Sequence, residues 1–410
     1  MKEQMAYKFR IYPDEPQARL FRKTVGCCRF VYNLFLEQKK LERHRSNPRR
    51  LSQVDQIKQL PQAKRDFPFL AEVPNHCLQQ VVVDLHKAYA NFFAKRAAFP
   101  KPRRKFENES FRFPDPKQIK VRSGEVFLPK AGWMKMIDHR EIIGTVKNVT
   151  VSISGDHWYV AIQVEREVDE PAVREGLELG GDLGIVHALA LSDGTVYDVP
   201  RMTEKEKRKE ENLQRIISRR KKGSRNRTRA QRDLRRFKAR MVRRRRDAKH
   251  KMTTDVVRRC AVLHLEDLKV KNLTASARGT VDEPGSNVAQ KAGLNRSFAD
   301  VSPGETRIQI VYKMRRSGGS INFHNPAYSS QRCAECGHID AANRPDRDTF
   351  QCVNCGHAAC PDINAGQNLL YMGVKARTGG PPGLACESNR VAGRKQEEDG
   401  SSQAATKVAA

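Results

Sequence analysis

Four cysteines in two matched pairs place the strongest constraint on how this chain folds. Cys333-x-x-Cys336 is followed, after fifteen intervening residues, by Cys352-x-x-Cys355, and a glycine directly follows each pair. Four thiolates at this spacing close a tetrahedral Zn²⁺ site, and each glycine relieves the tight turn of a knuckle. Because no ligand position is left open for water, the spacing predicts one structural zinc ion in a zinc ribbon over residues 329–356.

The charge of the chain is the second constraint. Its 410 residues include 77 Lys+Arg against 47 Asp+Glu, which gives a formal net charge of +30. So large an excess repels itself unless a polyanion neutralises it, and nucleic acid is the expected partner. No run of roughly 18 apolar residues and no signal-peptide core is found, so we expect a cytoplasmic protein that neither enters a membrane nor forms disulfides.

The excess charge is concentrated in residues 201–260, which contain 26 Lys/Arg against 7 Asp/Glu. One break, at Gly223-Ser224, predicts two long helices joined by a turn. Charged helices are usually solvated faces, but the basic runs here are not balanced by acids, so we expect the pair to follow nucleic-acid phosphates. A second basic stretch either does likewise or is only a linker: Arg103, Arg104 and Lys105.

Apolar periodicity predicts a multidomain protein of mixed α/β and α+β class. Residues 1–170 begin with a strand, continue with two helical blocks and end in a hairpin, which indicates a wedge-like β-barrel with an inserted helical bundle. From residue 171 onward strands alternate with helices, and Asp193-Gly194 supplies a hairpin turn. Residues 274–300 form a predicted polar loop, and 376–410, rich in Gly, Pro, Ser and charge, a predicted disordered tail.

Three carboxylates are candidates for a catalytic metal site. Asp182 and Glu266 each follow an apolar strand, and Asp362 begins a predicted helix just after the second knuckle. Asp182 alone could be a turn-capping residue, but three such carboxylates suit an RNase H-like fold that holds two Mg²⁺ about 4 Å apart for phosphodiester hydrolysis. Asp267 competes with Glu266, but strand alternation turns it to the opposite face, so Glu266 is preferred.

Five ordered motifs resemble the TnpB (OrfB) family of insertion-sequence proteins, relatives of type V CRISPR effectors. They are GGDLGIVHALALSDG, HLEDLKVKNLT, LNRSFAD, NPAYSSQRCAECGH, and FQCVNCGH with PDINAGQNL. The opening YKFRIYPDEPQARLFRKTVGCCRFVYNLFL is also similar to that family's N-terminus. This chain departs from the usual pattern at Gly181, where an apolar residue is common, and around Asp362, where Cys360-Pro361 precedes it and Gly366 interrupts an Asn-Ala-Ala motif.

The resemblance implies an RNA-guided DNA endonuclease. Such a protein binds a guide RNA from the transposon end and recognises the heteroduplex by shape, and its residues 1–170 both bind RNA and read a short motif beside the double-stranded target. The match places Asp182, Glu266 and Asp362 on the family's catalytic carboxylates and the four cysteines on its zinc ligands. It implies a RuvC-like domain over 171–328 and 357–375, including helices 201–260, in a monomer with one RNA. Two alternatives remain, a guided DNA-binding regulator that does not cut and a transposase.

Overall fold

The computed structural model describes residues 1–378 with the exception of 48, 281 and 326. It divides the chain into two compact units. Unit 1 contains residues 1–170 and 204–242, and unit 2 contains residues 171–203 and those from 243 onward. The predicted disordered tail, 376–410, lies outside the described residues except for its first three, which continue the last helix.

Unit 1 is built on one seven-stranded antiparallel sheet with strand order β2-β6-β7-β1-β5-β4-β3. The long central pair, β1 and β7, stays in register from Lys2 opposite Glu167 to Ile11 opposite Trp158. Apolar side chains alternate along these strands, so one face is buried and the other is polar. The strands are β1 (Lys2–Tyr12), β2 (Ser110–Phe113), β3 (Lys120–Arg122), β4 (Glu125–Leu128), β5 (Gly132–Ile137), β6 (Thr145–Ser154) and β7 (His157–Glu167).

Helices cover the buried face of this sheet. The first begins with a capping box, in which Asp14 accepts from the Gln17 backbone N–H at 2.7 Å and Gln17 accepts from that of Asp14 at 3.0 Å. Its Phe21 packs against the rings of Phe111 and Trp158, with centroids 5.5 and 5.3 Å away. The helices that contribute to this core are α1 (Glu15–Arg43), α2 (Gln53–Lys58), α3 (Leu60–Asp66) and α4 (Asn75–Phe93). Unit 1 also contains α5 (Glu204–Arg219) and the first half of α6 (Arg225–Arg259), which supply none of the described residues of this core.

The predicted β-barrel is therefore corrected to an open sheet. In the described part of the chain the edge strands β2 and β3 do not pair with each other, and a barrel requires that closure. Strand β3 has only three residues, too few to close a wall. The apolar alternation correctly indicated one buried face, but α1 and α4, rather than an opposite sheet wall, fill the space against it.

Unit 2 contains a five-stranded sheet with strand order β10-β9-β8-β11-β12. Strands β8, β11 and β12 are parallel, whereas β9 and β10 run antiparallel as the hairpin predicted at Asp193-Gly194. The last part of α6 and helix α9 pack on one face through residues such as Val256 and Ile310. The strands are β8 (Glu178–Asp182), β9 (Leu189–Leu191), β10 (Val196–Tyr197), β11 (Val262–Glu266) and β12 (Ser320–His324).

The further helices of unit 2 are α7 (Val270–Leu273), α8 (Val288–Val301), α9 (Pro303–Arg316) and α10 (Pro361–Thr378), and a small ribbon pairs β13 (Phe350–Gln351) with β14 (Ala358–Ala359). The sequence did not predict α7 and α8. The predicted loop 274–300 is wrong in its second half, because α8 occupies it. That helix buries only Val301 and leaves Leu294 exposed, so it lacks the wide apolar stripe that marks a core-facing helix. No helix among the described residues has both the length and the apolar character needed to cross a bilayer.

Candidate metal centres

Asp182 and Glu266 end two neighbouring parallel strands at the same edge of the unit 2 sheet. Leu265 lies opposite Gly181 in the β8–β11 register, so the two carboxylate residues follow as the next pair. Strand alternation gives Asp182 the same face as Gly180, and gives Glu266 the same face as His264. Strand topology thus brings together two acids that are 84 positions apart in the sequence.

Helix α10 brings the third acid to this face. A methyl group placed on Gly180 would lie 1.9 Å from the carbonyl oxygen of Gly366, so the helix backbone touches the strand. Asp362 precedes Gly366 by four residues and therefore shares its face of the helix. Seven residues further along, Gly373 leaves room for the ring of the buried His264. Close packing of α10 on the sheet at Gly180 and Gly373 thus places Asp362 near the ends of β8 and β11.

The departures from the family pattern have a local explanation. A methyl group on Gly181 would lie 3.0 to 3.3 Å from side-chain carbons of Leu265, Leu189 and Leu191. These leucines fill the space of the missing apolar side chain. Gly366 adds close contact with β8 through the approach of its carbonyl to Gly180.

The three carboxylates repel one another in this arrangement. Loss of hydration and, to a smaller extent, the charges of Glu266 and Asp362 together raise the pKa of Asp182 to about 8, while the cation of Arg344 acts in the opposite direction. Burial also raises the pKa of Glu266, opposed by the Ser329 hydroxyl, which donates to Glu266 Oε1 at 2.6 Å. An all-oxygen donor set with unfavourable mutual charge fits hard divalent cations such as Mg²⁺.

Asp267, the competing acid, lies outside this cluster. It is exposed, and its Oδ1 forms an ion pair at 2.9 Å with Arg307, whose guanidinium lies 3.9 Å from the ring centroid of Phe323. The structure therefore brings Glu266, and not Asp267, together with the other two carboxylates.

The four cysteines meet in one cluster, as their spacing predicted. Their Sγ atoms all lie within 4.8 Å of one another, with 3.7 Å between Cys333 and Cys355 and 3.5 Å between Cys336 and Cys352. A tetrahedral site with Zn–S bonds of about 2.3 Å has edges of about 3.8 Å, close to these separations. The cluster therefore suits one zinc ion with four thiolate ligands.

Both knuckles have the same backbone geometry. Gly337 N–H donates to Cys333 O at 3.0 Å, and Gly356 N–H donates to Cys352 O at 2.9 Å. Each of these glycines has a positive φ, 76° and 73°, which side-chain-bearing residues rarely adopt. The backbone N–H of His338, followed by smaller contributions from the Asn354 amide and the neighbouring cysteines, lowers the pKa of Cys336 to about 6, which favours the thiolate.

Two buried asparagines of α10 tie the zinc ribbon to the helix that carries Asp362. The Asn364 amide donates to Arg332 O at 2.8 Å and accepts from Ala334 N–H at 3.0 Å, so it grips both neighbours of Cys333. Asn368 donates to Arg332 O at 2.7 Å and to Ser329 O at 3.0 Å. Sequence reasoning placed both asparagines in a family motif but gave them no role, and it did not single out Ser329 or Arg344, because contacts to carbonyl groups and charges leave no recognisable spacing.

The basic segments divide into structural and exposed parts. Helices α5 and α6 form as predicted around the turn at Gly223, where Arg227 donates to Arg220 O at 3.0 Å. Arg103 has a structural role, because its guanidinium lies 4.2 Å from the ring centroid of Tyr32 and its backbone N–H donates to Asn33. Arg104 and Lys105 are exposed.

Comparison with known proteins identifies the family. Family models match residues 161–277 ("Probable transposase", OrfB of the IS605 type), 1–47 ("Helix-turn-helix domain") and 304–369 ("Cas12f1-like, TNB domain"). The chain is 39% identical over 375 residues to "Putative RNA-guided DNA endonuclease InsQ" of Escherichia coli strain K12, covering 91% of this chain and 93% of that protein. The chain belongs to the TnpB family.

Other TnpB-related proteins agree with this assignment. A "Putative RNA-guided DNA endonuclease" of Streptomyces pristinaespiralis is 30% identical over 378 residues, covering 90% of each chain. A Cas12f1 chain from a complex with sgRNA and target DNA shares the fold, with a TM-score of 0.53 at 11% identity over 94% of this chain and 100% of that one. In this TnpB structure the helix-turn-helix match, residues 1–47, contains β1 and the single helix α1.

Proposed function

We propose that this TnpB-family protein is an RNA-guided DNA endonuclease with a RuvC-like active site. The observation that carries the proposal is the meeting of Asp182, Glu266 and Asp362, contributed by two strand ends and one helix start. Both relatives that match along nearly their full length are named as putative RNA-guided DNA endonucleases. We propose the RuvC-like domain over residues 171–328 and 357–375, with the zinc ribbon, 329–356, inserted in it.

The three carboxylates are the residues that would hold two Mg²⁺ ions. When bound, such ions supply Lewis acidity and an activated water for in-line phosphodiester hydrolysis. Ser329 fixes one oxygen of Glu266 by its hydroxyl and so orients that carboxylate. Arg344 supplies a positive charge near Asp182, where it favours an approaching phosphate. Asn364 and Asn368 hold α10, and with it Asp362, against the ribbon.

The charge distribution supports the proposed partners. Helices α5 and α6 contain most of the basic residues of the 201–260 segment and would follow the phosphates of a guide RNA or heteroduplex. We propose one protein monomer per guide RNA, transcribed from the transposon end, with double-stranded DNA as target. Residues 1–170 would bind RNA and read the short motif beside that target, and the setting would be the nucleoid in a prokaryotic cytoplasm.

The proposal is tested with purified protein, its cognate RNA, Mg²⁺ and DNA carrying the guide match. Asp182→Asn is expected to cut about 10³-fold more slowly than wild type, equivalent to several kcal/mol of lost transition-state stabilisation, while still binding DNA. Asp267→Asn is the matched control and should cut normally.

Two outcomes would overturn this function. Wild-type protein that binds guide-matched DNA but leaves it intact in both Mg²⁺ and Mn²⁺ would favour a guided regulator. Joined strand-transfer products in place of simple breaks would favour a transposase.

A further inference from the structure

Four aromatic rings lie on the exposed face of the unit 1 sheet, each with a cation beside it. Lys8 lies 4.6 Å from the centroid of Tyr159, and Arg10 lies 4.7 Å from that of Tyr12. Arg122 lies 4.2 Å from Trp133, and Lys120 lies 5.9 Å from Phe127. We call the four rings the aromatic stripe; its members are Tyr159, Tyr12, Trp133 and Phe127.

Strand register makes the stripe continuous. Tyr159 of β7 lies opposite Arg10, two residues from Tyr12 on β1, and Tyr12 lies opposite Lys135, two residues from Trp133 on β5. Trp133 pairs directly with Phe127 of β4, and their ring centroids are 5.6 Å apart. Direct neighbours lie about 5 Å apart and diagonal ones about 7 to 8 Å. The rings therefore form an oblique row across four adjacent strands.

The four rings of the stripe do not belong to the hydrophobic core of unit 1. The opposite face of the same strands already carries the buried side chains, whereas Tyr12 is 43% and Trp133 is 36% exposed. A single exposed aromatic residue needs no explanation, but four in register, each with its own cation, form an organised surface. Glu125 pairs with Arg122 at 2.6 Å, but Lys8, Arg10, Lys120 and Lys135 keep the face basic.

The chemistry of this surface fits an unpaired nucleic-acid strand. Bases stack on aromatic rings and guanidinium groups, and cations between the rings meet the phosphates. Bases inside a duplex already stack on each other and cannot reach such rings, whereas folded RNA exposes bases in loops and at ends. Target DNA enters as a duplex and exposes unpaired bases only in the strand that the guide displaces, whereas RNA offers them before any target is bound, so RNA is the expected partner.

We propose that the aromatic stripe binds an unpaired segment of the guide RNA by base stacking. The inference rests on the proposed function, which supplies the RNA. Trp133 and Tyr12, the most exposed rings, would make the central stacking contacts, and Arg10 and Lys120 would contact flanking phosphates.

The full-length protein offers a local optical test, because it contains two tryptophans and only Trp133 is on this face; Trp158 is buried. The probe is a uridine oligoribonucleotide of about 12 nucleotides, within the site size of known single-strand binders. Single-stranded RNA should quench Trp133 fluorescence, and a duplex RNA of equal length should not. Tyr12→Ala should weaken the binding that causes this quenching about tenfold, while Ile137→Ala, an exposed aliphatic residue on the same face, should not.

A second measurement separates this inference from the proposed function. Guide-RNA affinity and DNA cleavage are compared for wild type, Trp133→Ala and Trp133→Phe, the last of which keeps a ring and should restore affinity. If wild type cuts guide-matched DNA but Trp133→Ala binds guide RNA equally well, the stripe proposal is wrong and the nuclease proposal stands. Equal quenching by duplex RNA would also overturn it, and equal quenching by single-stranded DNA would overturn the assignment to RNA.

Discussion

The zinc ribbon and the carboxylate cluster both gather like-charged ligands, but they do so by different means. In the ribbon each cysteine pair is closed by a local knuckle, in which the following glycine, Gly337 or Gly356, donates its backbone N–H to the carbonyl of the first cysteine. The carboxylates come from residues 182, 266 and 362, and only sheet order and helix packing unite them. The first site is therefore determined by local sequence and the second by tertiary packing. Different substitutions should disrupt zinc binding and the arrangement of the carboxylates.

The largest effect is expected from removing a zinc ligand. Cys352→Ser should abolish zinc binding and release the Arg332 to Ala334 segment that Asn364 grips, which frees α10 and misplaces Asp362. Structural zinc sites contribute on the order of 10 kcal/mol to folding, so cleavage should fall at least about 10³-fold and thermal stability should fall with it. Zinc content and cleavage rate are measured together.

The exposed Cys360, which lies outside the cluster, gives the matched control. Cys360→Ser should keep both zinc and cleavage. A zinc-free Cys352→Ser protein that cuts at the wild-type rate would show that the ribbon does not support the carboxylate site.

A smaller but more selective effect is expected at the strand–helix contact. Gly180→Ala places a methyl group 1.9 Å from Gly366 O and must push α10 away from β8. A displacement of about 1 Å at a catalytic group can cost about 10²-fold in rate, so cleavage should fall by that order while zinc is retained. Gly26→Ala, where the added methyl group meets nothing within 4 Å, should cut normally. Normal cleavage by Gly180→Ala would contradict the packing argument.

The smallest effect concerns stability and pH. The pKa of an aspartate in an unfolded chain is about 3.9. The folded protein raises the pKa of Asp182 to about 8, so folding favours the neutral form of this residue. The associated stability is complete below about pH 4 and is lost as pH rises toward about 8. Zinc-loaded protein without Mg²⁺ should therefore melt several degrees lower at about pH 8 than at about pH 6.

Asp182→Asn should reduce this pH dependence, and Mg²⁺ should do the same for wild type. The exposed Asp169→Asn is the control and should melt like wild type at both pH values. A wild-type melting temperature that stays level or rises over this interval would show that the carboxylates do not repel as described.

The features that the sequence predicted are those governed by local rules. Cysteine spacing predicted the cysteine cluster, and strand alternation predicted different surroundings for Glu266, which is buried, and Asp267, which is exposed. The pattern around Asp182 predicted the strand and the hairpin after it. Each of these depends on neighbours within a few residues, where periodicity and turn chemistry act directly.

Other features depend on which element packs against which. Alternation along β6 and β7 showed a buried face but not whether helices or a second sheet wall would cover it, and so led to the barrel prediction. The role of Gly180 appears only when α10 lies on β8. Arg344 of the ribbon acts on the charge of Asp182, and Asn368 of α10 donates to Arg332 O in the ribbon. A polar side chain that contacts a carbonyl or a charge distant in the sequence has no sequence signature.

The grip of Asn364 on both neighbours of Cys333 also determines where this molecule can be recombined with its relatives. A chimera joined between the second knuckle and α10 would combine one protein's ribbon with another's asparagines, and the amide contacts would have to match across the junction. Residues 329–368 should therefore be exchanged between relatives as one segment. Any redesign of the ribbon in this nuclease fold should place its junctions outside residues 329–368.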